Sequence, residues 1–516
     1  MCRPCFMLIP LTFLLAGAMT SPASALTHTW NGPASPCGST LQGCINGAAA
    51  GDVVQVATNI PINEDITIAK SLTLTAALGF SPVIGDLHFV LLTNPSPLAN
   101  RIRFEYFTLP RGHVSAVQTS SGTFDVGIQY LTIQNTFNGL PEIEVRTSSP
   151  GGPFGALQVG IVGNRLTIPA NSQTFPVTAI SLEGGNASSL TGLIQQNRID
   201  HFDGGQDGAI GVFNIDADLD VTVLANEIRG SAYNDGVLFF QFGNGSSTVR
   251  FLDNLVVGQT TESGAPASYV MLVDGGTAAF EIVNNTAAAG DNGILVTGRD
   301  DLGASWSGIV ANNVISGMTN VGIAIGQPTL TSGIVDNDHN LTFAVGINDF
   351  TPGPGTLSAD PLFVGAGDYR LTDPSPARNT GNDAPVPSFL TTDLDGNPRH
   401  VGGYVDMGAY ESQSLVATQP VSSGQFRLHP NFPNPFRTST LIRYELPRPD
   451  HVSVGVFDVD GRLVRQLVAG AFQPSGPQTA QWDGRDEQGR PMAPGVYFYR
   501  IEAGALSASR RMVLLE

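Results

Sequence analysis

Between Val159 and Leu341 apolar and polar positions alternate in short runs, and no stretch shows a 3.6-residue period. One phrase recurs there: an aliphatic run, a short polar spacer, an asparagine, and then, two residues on, another aliphatic or small residue. Asn164, Asn197, Asn226, Asn254, Asn285 and Asn313 carry it, at steps of 33, 29, 28, 31 and 28 residues. A second phrase interleaves with the first, a turn pair followed by an aliphatic run, at Asp207-Gly, Asp235-Gly, Asn292-Gly and Asn320-Val-Gly. Each unit holds two or three short strands separated by Gly, Asn, Asp and Ser turns. The missing helical period removes the α-solenoids. Propeller blades of about 40–45 residues would exceed these steps, and leucine-rich repeats would need a denser leucine frame. The pattern predicts an all-β fold, a right-handed parallel β-helix solenoid over residues 26–411, followed by a small C-terminal β-sandwich.

The repeated asparagines then have a turn role. Asn tolerates positive φ, and its amide can bond the main chain and the asparagine one coil above. The expectation is a structural ladder that fixes register. Upstream, residues 37–50 read as a short amphipathic helix with Ser39 as N-cap. Leu41, Cys44, Ile45 and Ala48 share one face of it. Placed before the first coil, it would lid the open end of the stack. Gln129–Asn135 is the clearest coil segment in the less regular stretch from Ser81 to Pro153.

Residues 412–424 form a linker containing Ser, Gln and Thr. From 425 to 516 period-two strands return at Thr440–Leu446, Val452–Phe457, Gln478–Trp482, Val496–Ile501 and Ala508–Leu515. Asp458-Val-Asp-Gly461 and Asp486-Glu-Gln-Gly489 supply turns, so this stretch reads as a β-sandwich.

Composition narrows the function classes. The chain has 516 residues and a net charge of −19, with Lys70 its single lysine. An acidic chain without a basic block lacks the electrostatic footprint of a nucleic-acid binder. Residues 1–25 read as a cleaved signal peptide: Arg3, the apolar run Leu8–Met19, and a small-residue site at Ala23-Ser-Ala25. No other apolar run reaches the roughly 18 residues of a membrane span, so no transmembrane helix is expected in the mature chain. After cleavage only Cys37 and Cys44 remain, and in an oxidising compartment the close pair predicts a disulfide.

Candidate chemistry concentrates at Asp200, His201, Asp203 and Asp207, with Asp235 one coil on and Asp216, Asp218 and Asp220 in a neighbouring turn. Hard oxygen ligands of this kind could hold Ca²⁺, and His201 could serve as a general base. Asp-Gly and Asn-Gly pairs recur at the same point in other coils, however, where they make turns. The turn reading is preferred, and no cofactor is required. Alternation puts Phe240 and Phe242 on one face of a strand and Phe239 on the other. Trp306 is a lone aromatic in the repeats.

Two resemblances add to this reading. Asp360-Pro-Leu-Phe-Val, Asp368-Tyr-Arg-Leu, Pro374-Ser-Pro-Ala-Arg-Asn-Thr-Gly, Asp393-Leu-Asp-Gly-Asn-Pro-Arg and Val405-Asp-Met-Gly-Ala-Tyr-Glu411 occur in that order. Over about 340–411 they resemble the end of secreted, pectin-lyase-like β-helix proteins of the choice-of-anchor Q type, and His339, beside Asn337 and Asn340 at the start of that region, reads as structural. Asn431-Phe-Pro-Asn-Pro-Phe436, Trp482-Asp-Gly-Arg-Asp486, Gly495-Val-Tyr-Phe-Tyr-Arg500 and Arg511-Met-Val-Leu-Leu515 resemble a type IX secretion C-terminal sorting domain. That fold is similar to the immunoglobulin-like domain of flagellar hook-capping proteins. The resemblance implies export through type IX secretion machinery and attachment at the outer surface, although this chain ends in Glu516 where many such domains end in Lys or Arg. Secreted β-helices include polysaccharide lyases and hydrolases, but fold alone transfers no activity. Asp300-Asp301 is the only adjacent aspartate pair, and neither Gly-His-Gly nor Arg-x-Lys occurs. Lys70, near the capped end, is a poor base. The sequence therefore predicts a surface-associated protein that binds an extracellular polysaccharide or a cell-surface component without catalysis. A polysaccharide lyase or glycoside hydrolase is the alternative.

Overall fold

The computed structural model describes residues 25–515 apart from 36, 135–139, 148–153, 169–177, 186, 202–207, 231–234, 259–265, 300–302, 327–334, 354, 414–425, 429–430, 432–433, 435, 437–438, 447–449, 460, 474–475 and 504–505. Residues 1–24 of the expected signal peptide and 414–424 of the expected linker lie outside the described residues. The chain divides into two compact units, Met1–Leu415 and Val416–Glu516.

Unit one is a parallel β-solenoid. A representative coil runs from Ser246–Leu252 through Leu255–Val257 to Ala267–Val273, and the next begins at Thr277–Val283. Strands at corresponding places stack into three parallel sheets of 12, 10 and 11 strands, called here the first, second and third faces. Alternation decides what each face buries. In that coil Val249, Phe251, Val256, Tyr269, Met271 and Val273 point inward and are fully buried, whereas Thr248 and Arg250 point out. Trp306 is also core, 2 % exposed, so it is no sugar platform.

The N-terminal lid is shorter than its sequence implies. The helix spans Leu41–Gly47, and its N-cap is Thr40 rather than Ser39, with Thr40 Oγ1 accepting from Gly43 N. The Glu64 carboxylate takes the free N–H groups of Leu41 and Gln42, at 2.7 and 3.2 Å. Leu41, Cys44, Ile45 and Ala48 are buried, and a disulfide joins Cys37 to Cys44.

The repeated asparagines occupy the turn between the first and second faces. Their backbone does not take the positive φ; the residue before each one does. Gly163, Gln196, Ala225, Asp253, Asn284, Asn312 and His339 have φ between 52 and 68°. That corrects the turn assignment made from sequence. The strained residue frees the asparagine to point inward, where all six are at most 1 % exposed. From Asn197 on, each amide is then used completely. Asn197 Nδ2 donates to Ile161 O and to Asn226 Oδ1, both at 2.9 Å. Asn226 Oδ1 also accepts from Asn197 N at 3.0 Å. The same pattern repeats from Asn164 to Asn313 and adds a further rung, Asn340. Leu131 begins the row, its N–H donating to Asn164 Oδ1 at 2.9 Å.

After Leu357–Ser358, the last strand of the second face, residues 359–413 fold back along the outside of this turn as a strap. Leu390 packs with Leu252 and Val283, Met407 and Ala377 with Val314 and Leu341, and Tyr410 and Ala409 with Leu255. The outward turn residues receive it. Asn284 Nδ2 donates to Asp406 O, and Asn312 exchanges hydrogen bonds with the backbone of Asn382. Asp253 pairs with Arg399 at 2.5 Å, both side chains fully buried. Arg399 also donates to Gly408 O and Ala409 O and lies 3.6 Å from Glu411. Burial and the neighbouring Asp406 charge push the Glu411 carboxyl up to about 8. Burial lifts Asp253 to about 7 against the pull of Arg399.

Unit two is a sandwich of two antiparallel sheets. One holds Arg427–Leu428, Thr440–Leu446 and Gly476–Trp482; the other holds Leu463–Gln473, Asp450–Phe457, Gly495–Ala503 and Leu506–Leu514. Buried Trp482 is the centre of their core, edge-on to Phe436 and Tyr497, with its indole N–H donating to Arg485 O. The Asn431–Phe436 phrase ties the entry to the last strand. Asn431 N donates to the Tyr499 hydroxyl, Val513 N to Asn434 Oδ1, and Phe436 N to Val513 O.

Two outcomes follow for stability. Asn226→Ala strips partners from the Asn197 and Asn254 amides and from Ile194 O, at a cost of about 2–4 kcal/mol. Urea unfolding should show the loss, and an unchanged midpoint would refute the ladder's energetic role. The second concerns pH. Glu411 has a folded value raised above that of the unfolded chain, so its contribution is complete below about 4.3 and is lost as pH rises through about 8. Strap docking, followed by limited proteolysis at 359–413, should weaken over that window, and less so in Glu411→Gln. A docking strength that grows with pH would contradict this.

Candidate functional site

The residues singled out from sequence do not converge in the described structure. Asp200 lies on the second face, 3.5 Å from Arg198 and in register with Arg229. Arg198 in turn reaches Glu227 at 3.3 Å, so Asp200 belongs to an outward ion-pair row. Asp235 opens a third-face strand, where its Oδ1 accepts from Ala267 N at 2.7 Å and its backbone O from Ala209 N. That is a turn-and-register role. Asp203, Asp207 and the His201 side chain lie outside the described residues. The neighbouring acids also tie coils together: Asp216 accepts from Asn244 N, Asp218 from Ser246 Oγ, and Asp220 pairs with Arg250. His339 pairs with Asp338 at 2.7 Å.

A denser constellation lies on the outside of the third face. Its strands Gly112–Gln118, Ile143–Thr147, Ile180–Gly185, Ile210–Ile215 and Val237–Phe242 are successive neighbours. Register lines up outward side chains across them: Arg146 opposite Glu183, Glu183 opposite Phe213, and Phe213 opposite Phe240. A parallel row places Ser115 beside Glu144 and Glu144 beside Ser181. Strands about 4.8 Å apart therefore carry a continuous line from charge to aromatic surface.

Local contacts fix the charged end. Glu144 Oε2 accepts from Ser115 Oγ at 3.1 Å, and Oε1 lies 3.2 Å from Arg146 Nε. His113 stands 3.8 Å from the same carboxylate, while its Nδ1 is 2.5 Å from Pro141 O. A carbonyl cannot donate, so Nδ1 carries the proton and Nε2 faces Glu144. Burial lowers the His113 pKa, favouring this neutral form. Glu183 is half-buried. Desolvation raises its carboxyl, with Arg146 pulling down and the Glu144 charge pushing up. Glu142, one strand position before Ile143, is fully buried and raised well above the ordinary glutamate value, also by desolvation.

At the aromatic end the Phe213 ring lies across Gly211, where a Cβ would come within 2.6 Å of it. Phe240 and Phe242 share the outward side, their rings 6.4 Å apart, and Phe242 is 56 % exposed while Phe239 is buried in the core. Alternation alone separated those three phenylalanines. In the structure Ile143-Glu-Val-Arg-Thr147 and Ile180-Ser-Leu-Glu183 alternate in the same way, with Ile143, Val145, Ile180 and Leu182 buried and Glu144, Arg146 and Glu183 outward. What the linear sequence hides is that coils 37 residues apart bring Arg146 and Glu183 together.

Residues 437–507 match the family model described as the FlgD Ig-like domain. Among solved structures the chain is similar to dimeric latent PorU from Porphyromonas gingivalis, at 22 % identity over 19 % of this chain and 10 % of that one, with a TM-score of 0.16. It is also similar to PorZ, described as an essential bacterial surface component of the type IX secretion system of the same organism. There the identity is 23 % over 17 % of this chain and 11 % of that one, with a TM-score of 0.14. No curated protein matches the chain. No helix among the described residues is long and apolar enough to cross a membrane.

Electrostatic coupling within the constellation is directly measurable. Arg146→Met removes the charge that holds the Glu183 carboxyl down, so its titration midpoint should move further up. Carboxyl NMR of the variant would read this, and a midpoint that stays put or falls would break the assignment.

Proposed function

We propose that this chain is an exported, surface-associated β-solenoid that binds an extracellular polysaccharide along the outer side of its third face. The observation that carries the reading is the row Arg146, Glu183, Phe213, Phe240, in which charged groups run into half-buried aromatic rings, with the exposed ring of Phe242 6.4 Å from that of Phe240. Aromatic rings offer a sugar an apolar surface, and the carboxylates and guanidinium bond its hydroxyls. Residues 425–516 serve secretion and surface attachment in this reading, supported by the signal-like N-terminus, the sorting-domain phrases and the match over 437–507. The choice-of-anchor Q resemblance of 340–411 fits a protein displayed outside the cell. Ca²⁺ is not required by the reading.

Binding should be measured across a panel of neutral, uronate and amino-sugar polysaccharides. Phe242→Ala should weaken the best ligand about tenfold, the value of one stacked ring, with thermal stability unchanged. Absence of binding across the panel, or affinity untouched by Phe242→Ala and Phe213→Ala, would remove the proposal. Deleting 425–516 should leave the protein in the periplasm. Normal surface display without that unit would remove its sorting role.

A further inference from the structure

We infer that Tyr106 and Tyr130 form an oxidative cross-linking site, where a peroxide-driven one-electron oxidant joins the two rings and staples adjacent coils. This inference goes beyond the glycan-binding reading and stands independently of it.

The site lies where the polar row of the first turn runs out. Strand register carries the position of Asn164 back to Leu131 and then to Phe107, both buried and apolar. Neither has an amide side chain to tie its coil to the next, and the row opens instead with the Leu131 N–H on Asn164 Oδ1. The strap braces coils farther along, from Arg229, which donates to Gly367 O, to Leu341 beside Met407.

Tyrosines hold the outward place of the turn in these two coils. Tyr106 and Tyr130 are its left-handed residues, with φ of 65 and 56°, in line with Gly163 at 68°. Their backbones are pinned one coil apart, Tyr106 N donating to Gln129 O at 3.1 Å and Tyr130 N to Val162 O at 3.0 Å. The rings stack with centroids 4.8 Å apart and 14° between their planes. Gly163 makes room for the second ring, since a Cβ there would come within 2.7 Å of it. Tyr106 is 47 % exposed and Tyr130 half-buried, so an oxidant reaches the pair from outside. Parallel register sets like ring carbons against one another, which is the arrangement that coupling needs. The Cys37–Cys44 disulfide fits a chain that works in an oxidising compartment.

In the step itself the haem of a peroxidase, oxidised by hydrogen peroxide, takes one hydrogen atom from each phenol. Unpaired spin spreads to the ring carbons ortho to oxygen, and one such carbon from each ring forms the new C–C bond. Each ring then moves the hydrogen on that carbon to its oxygen and recovers the phenol. Two hydrogens leave the protein, and one peroxide is reduced to two waters.

The test treats the full chain with a haem peroxidase and an equimolar amount of hydrogen peroxide. The expected product has the monomer mass less two hydrogens and shows dityrosine fluorescence. Cleavage after arginine should then release residues 104–111 joined to 112–146, the peptides that carry Tyr106 and Tyr130. Tyr106→Phe and Tyr130→Phe should each abolish that joined product, because phenylalanine has no phenolic hydrogen to lose. In the urea-unfolded chain, coupling should scatter among the ten tyrosines. The Thr132 N–H bonds Phe107 O across the two coils at 2.9 Å, and its hydrogen exchange should slow about tenfold after coupling. Absence of coupling, or coupling that maps to other tyrosines, joins separate chains or keeps the 106–130 pattern in urea, would overturn the assignment. Thr132 exchange untouched by coupling would overturn the bracing role.

Discussion

Seven buried asparagine side chains stack through the turn between the first and second faces, and the rest of the solenoid depends on their being satisfied. A primary amide has two donors and an oxygen with two acceptor positions, and from Asn197 to Asn313 the stack fills all four on each member. Any coil that slipped by one residue would leave amide groups buried without partners and turn its apolar side chains outward. Register in all three faces therefore follows from one polar row. The cost is a left-handed residue in each turn, about 1–2 kcal/mol when it is not glycine, and the hydrogen bonds offset it.

That left-handed residue has a second consequence. With the asparagine turned inward, its predecessor points outward at a fixed interval, and Asp253, Asn284 and Asn312 thereby become sockets for the strap. The same turn thus stabilises the inside and organises the outside. Arg399 in its fully buried pair is the extreme case. Desolvating both charges is expensive, and the pair persists because Gly408 O and Ala409 O take further guanidinium protons while apolar contacts seal the site.

The alternation of apolar residues and the spacing of asparagines made the solenoid legible, including the separation of Phe239 from Phe240 and Phe242 and the shared buried face of the lid residues Leu41, Cys44 and Ile45. The turn conformation was misassigned by one residue, because Asn is the usual candidate for positive φ and here Gln196 and Ala225 carry it instead. The acids of Asp200–Asp235 drew notice through local density in the sequence. Asp235 is used by the turn it opens, and Asp200 by an ion-pair row. The third-face constellation was hidden for the opposite reason: Ser115, Glu144 and Glu183 are far apart in sequence, and only the stacking of coils of unequal length places them together. The strap's partners were equally invisible, since Arg399 meets Asp253 across 146 residues.

If the outer third face is where this protein meets its ligand, a crystal structure of the chain with its best-bound oligosaccharide decides the matter most directly. The account predicts sugar rings over Phe240 and Phe242, with sugar hydroxyls within hydrogen-bond reach of Glu183 and Arg146. Sugar density confined to the second face, the strap or the C-terminal unit would contradict it.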